Sequence, residues 1–302
     1  MFLKIKQLFY LAYWFIGARF FGRRRPLQSV IFISDRCNLS CKHCSVYNHK
    51  NPLNKTFEQI REELQYCYDQ GSRFVDFEGG EPFIWEDNGR DINDLCDLAK
   101  SMGFFSCTIT TNAQKPFPNS RADSIWVSLD GYGEFHEAVR GKGTFARLEQ
   151  NIATCGHKAL SVNMAINTLN HTAVAQTIEY VKSNPHIQSI SLNFHTPFAG
   201  TEYLALDERR RHEIIDLIID YKRKGYPIMN SIPGLKKMKD LHFKPQCWVT
   251  NFIFTDGSRK AQCIGYEQGV CDQCGFCMAG EMSGVFNLHP GTIIAGLKLR
   301  MK

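Results

Sequence analysis

The stretch Cys37-Asn-Leu-Ser-Cys41-Lys-His-Cys44 holds three cysteines in a C-x₃-C-x₂-C spacing, directly after an apolar run. Thiolates are soft ligands that suit zinc and iron–sulfur clusters. A structural zinc site normally closes four ligands around the ion, and no further Cys or His follows at finger spacing, because His43 lies inside the loop. The spacing therefore favours three corners of a four-iron cluster whose fourth iron stays open. A zinc knuckle and three unrelated thiols are the alternatives.

Apolar runs and helical periods alternate along most of the chain. Six runs predict strands, and these are Val30–Ile33, Phe74–Phe77, Ser106–Thr110, Ser124–Leu129, Leu160–Ile166 and Ser189–Phe194. Helices are predicted between them, with N-caps at Thr56, Asp91 and Asp207. Six strands that alternate with helices indicate an α/β fold with a parallel sheet, either open or rolled into a barrel. Residues 226–250 show a less regular pattern.

Polar motifs follow the ends of the predicted strands, where a (β/α) barrel places its active site. Glu78-Gly-Gly-Glu-Pro82 follows the second strand, Thr110-Thr-Asn112 the third and Ser128-Leu-Asp130 the fourth. Two glycines allow a sharp turn and a close backbone approach to a ligand. The other polar groups can hydrogen-bond a ribose and a carboxylate group, or they simply cap turns. Arg140 is either a ligand for a carboxylate or a solvated surface arginine.

The cysteine loop, followed one strand later by this glycine-rich motif, resembles the signature of the radical S-adenosylmethionine (SAM) superfamily. The resemblance implies a partial (β/α)₆ TIM-like barrel and a 4Fe–4S cluster on Cys37, Cys41 and Cys44, whose open iron binds SAM. It implies a SAM-binding pocket made of His43, Gly79, Gly80, Glu81, Pro82, Thr111, Asn112, Ser128, Asp130 and Arg140. The superfamily commonly has an aromatic hydrocarbon side chain in place of His43, and an imidazole can still stack on adenine.

The chemistry that this resemblance implies is the reductive cleavage of SAM. An electron donor such as a flavodoxin or ferredoxin reduces the cluster, and a 5′-deoxyadenosyl radical then abstracts hydrogen from an unactivated C–H bond. The cofactors supply the difficult chemistry, while the protein supplies position and excludes solvent. A zinc or iron–sulfur binding module without enzymatic activity is the competing interpretation, and it leaves the strand-end motifs unexplained.

A second cysteine group lies near the C-terminus. Its pattern is Cys247-x₁₅-Cys263-x₇-Cys271-x₂-Cys274-x₂-Cys277, with Gly257 inside the first interval. The group resembles the SPASM and twitch extensions of the superfamily, which implies a second 4Fe–4S cluster. Five cysteines suffice for one such cluster, and the expected ligands are Cys247, Cys263, Cys271 and Cys274, followed by Cys277. A zinc ribbon is the alternative.

Residues 1–27 form a separate basic and aromatic segment. Residues 1–25 carry six Lys or Arg and no acid, which equals the net charge of +6 for the whole chain. The remainder is neutral, which argues against a nucleic-acid binder. The uncharged stretch Gln7–Ala18 is too short for a transmembrane helix, which needs about twenty residues. The segment is expected to lie on an anionic membrane surface, or else to pack on the domain or close the bottom of the barrel.

The domain plan, the compartment and the substrate class follow from these segments. The barrel is expected over residues 28–225 and the cysteine-rich extension over residues 226–302. Clustered cysteines without a signal-peptide cleavage site indicate the reducing cytoplasm, with peripheral attachment at the inner face of the membrane. A membrane lipid or isoprenoid is the substrate class that the N-terminal segment favours. A peptide or protein substrate is the alternative, because many enzymes with SPASM-type extensions modify peptides.

Overall fold

Parallel strands alternate with helices through most of the chain in a computed structural model that describes residues 2–44 and 51–300. The strands are β1 (Gln28–Phe32), β2 (Phe74–Glu78), β3 (Ser106–Thr111), β4 (Ser124–Ser128), β5 (Leu160–Ile166), β6 (Ile190–Phe194), β7 (Thr250–Ile253) and β8 (Arg259–Lys260). The helices are α1 (Phe2–Phe20), α2 (Phe57–Gln70), α3 (Ile92–Ser101), α4 (Glu134–Arg140), α5 (Thr144–Thr154), α6 (Val174–Ser183), α7 (Glu208–Arg223), α8 (Ile232–Asp240), α9 (Ile264–Glu267), α10 (Cys277–Phe286) and α11 (Pro290–Arg300). The first six strands lie where the sequence predicts them, within two residues at each end.

The strands form one sheet in the order β6-β5-β4-β3-β2-β1-β7-β8. Neighbouring strands from β6 to β7 are parallel, and the short β8 runs antiparallel in a hairpin with β7. Parallel neighbours need a crossover connection, which helices supply between most of these strands, whereas residues 112–123 join β3 to β4 without a helix. This order is that of a partial α/β barrel, and a cysteine-rich segment follows it in the chain. The predicted fold class is confirmed.

Local signals at the helix starts explain why these segments fold as predicted. Thr56 and Asp91 each form a capping box, in which the side chains of Gln59 and Asp94 accept the return hydrogen bond from the cap backbone. The side chain of Asp207 accepts a bond from the backbone of α7 at its first turn. These caps satisfy backbone donors that the start of a helix otherwise leaves unpaired.

The chain beyond residue 225 adds a strand and several helices to the barrel. Helix α8 lies within the passage that the sequence shows as irregular, because Pro233 and Gly234 near its start weaken the periodic signal. Strand β7 pairs in parallel with β1, so that Val30 lies between Asp76 of β2 and Phe252 of β7. The sheet therefore extends beyond the six predicted strands.

Helix α10 lies along the gap between β6 and β7. At its start the Cys277 backbone N–H donates to Asn193 Oδ1 of β6 at 2.9 Å. At its end the Phe286 ring packs against Trp248, just before β7, with 5.4 Å between the ring centroids. The helix therefore runs from the carboxyl end of the sheet to its amino end, and it covers the opening that a partial barrel leaves.

Helix α1 closes the amino end of the barrel. The Trp14 ring packs against Trp248 and Phe286, with centroids 5.9 and 6.0 Å away. Tyr10 meets the ring of Phe105, just before β3, edge-on at 5.6 Å. Most of these rings belong to a small hydrophobic cluster that is separate from the main core. The N-terminal segment thus forms the floor of the barrel, which is one of the positions expected for it.

The opposite face of α1 is apolar and exposed. Phe9, Tyr13 and Phe20 are 72, 63 and 59% exposed, and Ile5 and Ile16 belong to the same row at helical spacing. The basic residues of the segment are exposed as well, and these are Lys4, Lys6, Arg19, Arg23, Arg24 and Arg25. Across residues 2–44 and 51–300, no helix combines the length and hydropathy that crossing a membrane requires. Helix α1 therefore has two apolar faces, one against the barrel and one in solvent.

Candidate active site

The cysteine loop follows β1 at the carboxyl end of the sheet. Cys41 is buried, with 6% of its surface exposed, while Cys37 and Cys44 are partly exposed. The loop turns tightly, because the Cys44 N–H donates to the Cys41 carbonyl at 3.2 Å and the Leu39 N–H donates to Cys37 Sγ at 3.4 Å. Burial raises the pKa of the Cys41 thiol to about 11, although Arg140 opposes the rise. Burial likewise raises the pKa of Cys37.

Gly79 and Gly80 let the chain after β2 lie directly against the chain before the cysteine loop. The Gly80 N–H donates to the Ser34 carbonyl at 2.6 Å, and the next residue donates to the Arg36 carbonyl at 2.8 Å. A Cβ at Gly79 would lie 2.3 Å from the Ser34 oxygen, and one at Gly80 would lie 2.0 Å from the Arg36 oxygen. The sequence predicts that these glycines approach a ligand closely. In the structure they approach the backbone of Ser34 and Arg36, so a larger residue at either position would displace the cysteine loop.

Glu81 ties the ends of β2 and β3 together beside that loop. Oε1 accepts from the Phe83 N–H at 3.1 Å and from Thr111 Oγ1 at 2.7 Å, and Oε2 accepts from the Asn112 N–H at 2.7 Å. Burial raises the pKa of Glu81, and these hydrogen bonds oppose the rise. The Asn112 side chain in turn donates to Cys37 Sγ at 3.6 Å. Glu81, which is expected in the SAM-binding pocket, is thus already hydrogen-bonded within the protein.

Asp130 and Arg140 form a buried ion pair on the other side of the loop. Arg140 Nε donates to Asp130 Oδ2 at 2.6 Å, and its Nη1 lies 3.8 Å from Cys41 Sγ. Asp130 Oδ1 accepts from the Ala165 N–H of β5 at 2.9 Å. Burial raises the pKa of Asp130, but Arg140, His43 and this hydrogen bond outweigh burial and leave the pKa below its ordinary value. Arg140, expected to bind a carboxylate of SAM, therefore has a carboxylate partner within the protein.

His43 faces the same ion pair from inside the cysteine loop. Its Nε2 lies 3.7 Å from Asp130 Oδ2. Its Nδ1 is buried and has no hydrogen-bond partner within the described parts of the chain. Burial lowers the pKa of His43 to about 4, against the opposing effect of Asp130. The imidazole is therefore neutral at pH 7 and leaves one ring nitrogen for another group.

Two supporting residues were not assigned a role from the sequence. The Asp130 N–H donates to His136 Nδ1 at 3.1 Å, and Asn170 Nδ2 donates to the Asp130 carbonyl at 2.8 Å. Burial lowers the pKa of His136 to about 3, so its imidazole is neutral. The position of His136 six residues after Asp130 is a weak signal for such support. Asn170 lies beyond the next strand, and nothing local in the sequence links it to Asp130.

Two of the expected pocket residues stand apart from the hydrogen bonds described above. Pro82 begins a short 3₁₀ turn and is buried. Ser128 ends β4 and, by strand alternation, points to the same side as Ser124 and Trp126, which line the barrel interior. The structure therefore gathers the other members around the cysteine loop, namely His43, Gly79, Gly80, Glu81, Thr111, Asn112, Asp130 and Arg140.

A cavity of 2710 Å³ begins at this end of the barrel and runs through its interior. His43 and Cys44 line it near the cysteine loop, and Cys263 and Cys274 of the second group line the same space. Glu78 lies on its wall, where burial raises the pKa to about 7 against a hydrogen bond from the β3 strand. Pockets for drug-sized ligands measure about 300–1,000 Å³. The cavity therefore has room for a substrate in addition to SAM.

The five cysteines of the second group differ in exposure: Cys277 is buried, Cys271 is exposed, and Cys247, Cys263 and Cys274 are partly exposed. Burial, and then the thiols of Cys263, Cys274 and Cys271, raise the pKa of Cys247 to about 12. Cys277, the first residue of α10, is fully buried, and burial raises its pKa. Among these cysteines it interacts with Cys274. Which four of the five cysteines bind metal therefore stays a prediction from the sequence.

The loop of the second group is fixed to β6. The Phe194 N–H donates to the Gly275 carbonyl at 2.9 Å, and the Gly275 N–H donates to Thr196 Oγ1 at 3.0 Å. A Cβ at Gly275 would lie 1.9 Å from the Phe194 oxygen. Gly257 adopts a φ of +82° in the turn between β7 and β8, which explains a glycine within this spacing. The loop of the second group is thus held against β6 by contacts that leave no room for a side chain at Gly275.

The donor sets of both groups fit iron–sulfur clusters. Each group consists of thiols, which are the ligands such clusters use. Several of the thiols are buried and have raised pKa values, so they stay neutral unless a cation stabilises the thiolate. The unpaired His43 Nδ1 beside the first group is an open position for a polar ligand. Within residues 2–44 and 51–300, no three His, Cys, Asp or Glu side chains converge as ligands of a single ion.

Residues 31–183, a little over half of the chain, match the family model of the Radical SAM superfamily. The chain belongs to this superfamily and is a radical SAM enzyme. The family implies a 4Fe–4S cluster and SAM as cofactors. The match covers the cysteine loop, the glycine-rich motif and the Asp130–Arg140 pair.

Individual relatives are distant. A probable GTP 3′,8-cyclase of Methanothermobacter marburgensis is 24% identical over 296 residues, covering 88% of this chain and 94% of the relative. The subtilosin biosynthesis protein AlbA of Bacillus subtilis is 25% identical over 148 residues, covering 47% of this chain and 33% of AlbA. The crystal structure of Streptococcus suis SuiB bound to precursor peptide SuiA has a TM-score of 0.61 at 18% identity, covering 83% of this chain and 63% of SuiB. The chain thus spans less than two thirds of SuiB, and this likeness shows the fold.

The close contact at Gly80 yields a test of the site. We expect Gly80→Ala to lower the free energy of unfolding by about 1–3 kcal/mol, as overpacking does, and to reduce the iron bound at the first cysteine group. Gly296→Ala in α11 is the matched control, because a Cβ there meets nothing within 4 Å and alanine favours a helix. Denaturant unfolding and iron determination under anaerobic conditions measure both effects. Equal free energies of unfolding and equal iron contents in the two variants would contradict the close contact at Gly80.

Proposed function

We propose that this radical SAM enzyme holds its SAM-binding 4Fe–4S cluster on Cys37, Cys41 and Cys44, and holds SAM with the strand-end residues around them. The observation that carries this assignment is the network that joins Glu81, Asn112, Asp130 and Arg140 to the cysteine loop at the mouth of a cavity. When bound, the cofactors supply a 5′-deoxyadenosyl radical that abstracts hydrogen from an unactivated C–H bond.

The protein's own residues then have distinct tasks. Asp130 fixes Arg140 at Nε, and the remaining guanidinium donors are suited to a carboxylate group. Glu81 and Asn112 hold the strand ends against the cysteine loop, so that the cluster and its ligand keep one geometry. Neutral His43 offers a flat aromatic face and an unpaired nitrogen. The surrounding barrel excludes solvent from the reacting atoms.

The second cysteine group is assigned to an auxiliary 4Fe–4S cluster on Cys247, Cys263, Cys271 and Cys274. The choice rests on the spacing of these cysteines in the sequence, and Cys247, Cys263 and Cys274 line the same cavity. We assign residues 28–225 to the catalytic core and residues 226–302 to the auxiliary extension, and the two share one sheet through β7. The electron that starts the reaction comes from an external donor such as a flavodoxin or ferredoxin.

Helix α1 is assigned to attachment at an anionic membrane surface, on the inner face of the membrane. Its exposed aromatic row and exposed basic residues support the assignment. Each basic residue near an anionic leaflet contributes about 1 kcal/mol, and buried aromatic side chains add apolar area. Attachment brings the enzyme to a membrane lipid or isoprenoid as substrate. Modification of a peptide is the second candidate, favoured by the fold likeness to SuiB, whose structure holds a precursor peptide.

Replacing the loop cysteines tests the site of SAM cleavage. We expect the triple variant Cys37→Ala, Cys41→Ala, Cys44→Ala to lose the release of deoxyadenosine on dithionite reduction, because the ligands of the SAM-binding cluster are gone. The C-terminal group should keep its iron. Cys155→Ala is the control, because Cys155 is a buried thiol outside both groups, and this variant should release deoxyadenosine. Release by the triple variant would mean that the cluster is assigned to the wrong residues.

Metal content tests the auxiliary cluster. Anaerobically reconstituted protein should bind about eight irons per chain, two clusters of four. Cys277→Ala should keep this content, whereas Cys274→Ala should lower the iron of the second group, because Cys274 is one of the four assigned ligands and Cys277 is not. Iron and zinc are measured by mass spectrometry. Four irons with one zinc would establish a zinc ribbon instead.

Liposome flotation tests the attachment of α1. We expect the double variant Phe9→Ser, Phe20→Ser to float less with phosphatidylglycerol liposomes than the parent chain. Substitution is preferable to deletion, because the buried face of α1 closes the barrel. Tyr203→Ser removes an equally exposed ring elsewhere and should float as the parent does. High salt should weaken flotation, since exposed charges are screened over about 8 Å at physiological ionic strength. Equal flotation of all variants would remove the reason for a membrane role.

A further inference from the structure

One wall of the barrel cavity is polar. The inward positions of β2 to β6 carry hydrogen-bonding side chains, among them Asp76, Glu78, Thr110, Asn163 and Asn193. Two of the hydrogen bonds join side chains on neighbouring strands. Asn193 Nδ2 donates to Asn163 Oδ1 at 2.7 Å, and Thr110 Oγ1 donates to Asp76 Oδ1 at 3.3 Å. This wall suits hydroxyl or amide groups of a ligand, because it offers both donors and acceptors.

The adjoining wall is mainly apolar, although Gln28, Thr250 and Glu281 also line the cavity there. It consists of β1, the β7 strand with the residue after it, and helix α10, and the cavity is lined there by Val30, Phe32, Phe252, Phe254, Met278 and Met282. Phe32 and Phe254 stack with 5.1 Å between their ring centroids and an interplanar angle of 6°. The polar wall gives way to the apolar wall at β1, because Val30 pairs with Asp76 on one side and with Phe252 on the other. Met side chains on such a wall adapt to ligands of varied shape.

The same cavity reaches the surface at the floor of the barrel, between α1 and α11. Leu8, Leu11 and Phe15 of α1 line it there, together with Ile294 and Leu297 of α11. Leu8 and Ile294 are 47 and 53% exposed while they line the cavity, so the cavity opens at this point. The opening lies beside the exposed aromatic row of α1, which is the face assigned to the membrane.

We propose that the substrate is an amphiphile of the membrane, whose apolar chain enters between α1 and α11 and lies along the apolar wall while its polar part meets the polar wall. The inference rests on the proposed function and specifies its substrate class and route. Six exposed basic residues of the same N-terminal segment complement an anionic bilayer, and apolar side chains continue from the exposed face of α1 into the cavity. An alkyl chain can therefore leave the bilayer without crossing water.

The charges inside the barrel favour this substrate over a nucleotide triphosphate. Asp76 and Glu78 both lie on the polar wall, so this wall presents acidic side chains rather than cations to a phosphate group, and burial raises the pKa of Glu78 to about 7. The lysines that line the cavity are Lys4, Lys158, Lys222, Lys260 and Lys298, and none of them lies on β2 to β6. Similarity to a probable GTP 3′,8-cyclase therefore does not assign GTP to this cavity, whose walls suit a different ligand.

Photo-crosslinking tests the route. The probe is a phosphatidylglycerol vesicle in which a fraction of the lipid carries a diazirine at the end of one acyl chain. The full reconstituted chain is irradiated anaerobically, and the adducts are located by peptide mass spectrometry. We expect adducts on the segments that contain Phe252 and Met278 to Met282. Ala12→Trp should lose most of these adducts, because Ala12 lines the opening and is exposed on α1.

A matched control and distinct outcomes keep the test decisive. Ala153→Trp adds the same ring at an exposed position of α5 and should retain the cavity adducts. Adducts confined to the outer face of α1 would overturn the substrate route while leaving membrane attachment intact. If Ala12→Trp unfolds at the same temperature as the parent and still forms the cavity adducts, the proposed entrance between α1 and α11 is wrong. Displacement of the adducts by excess GTP or by a peptide would assign the cavity to that ligand class. Deoxyadenosine release, measured separately, reports on the SAM site alone.

Discussion

The backbone contact between Gly79–Glu81 and Ser34–Arg36 is the constraint on which the site depends. Strands β1 and β2 are paired in register up to Phe32 and Glu78, and their hydrogen bonds continue beyond the strands to Glu81. The continued pairing delivers the cysteine loop and the Glu81 carboxylate to the same place. From there Glu81 holds Asn112, and Asn112 returns to Cys37. Glycine is required twice along this path because no Cβ fits between the two chains.

The sequence could predict the strands and the strand-end motifs, because both depend on local patterns. Apolar alternation and helix caps such as Thr56 are local, and they fix where the carboxyl ends of parallel strands meet. The ion pair between Asp130 and Arg140 could not be predicted from such local patterns. Ten residues and a helix separate the two, and the spacing is equally consistent with two solvated charges. The support from Asn170 depends on tertiary contacts that leave no local signal.

Helix α1 shows why a weak amphipathic pattern is ambiguous. An amphipathic pattern reflects how unevenly apolar residues are distributed around the helix axis, and two apolar faces on opposite sides cancel one another. The contacts resolve the ambiguity, since Trp14 packs against the barrel while Phe9 and Tyr13 face solvent. An ordinary packed helix requires one apolar face. The second face is therefore a feature that the stability of the barrel leaves unexplained, and exposed basic residues accompany it.

The two halves of the cavity arise from the incomplete closure of the barrel. Strands β2 to β6 are consecutive in the chain and carry many polar side chains at their inward positions. The gap between β6 and β7 is covered by α10, whose Met278 and Met282 face the cavity. The second cysteine group lies across this gap. Cys247 directly precedes β7, and Cys274 adjoins the residue that is hydrogen-bonded to β6. A cluster bound to both would join the two edges of the sheet, since metal binding is coupled to folding at sites whose ligands come from distant segments. The auxiliary cluster would then stabilise the apolar wall, in addition to any role in electron transfer. This gives a structural reason for cysteines at these two positions.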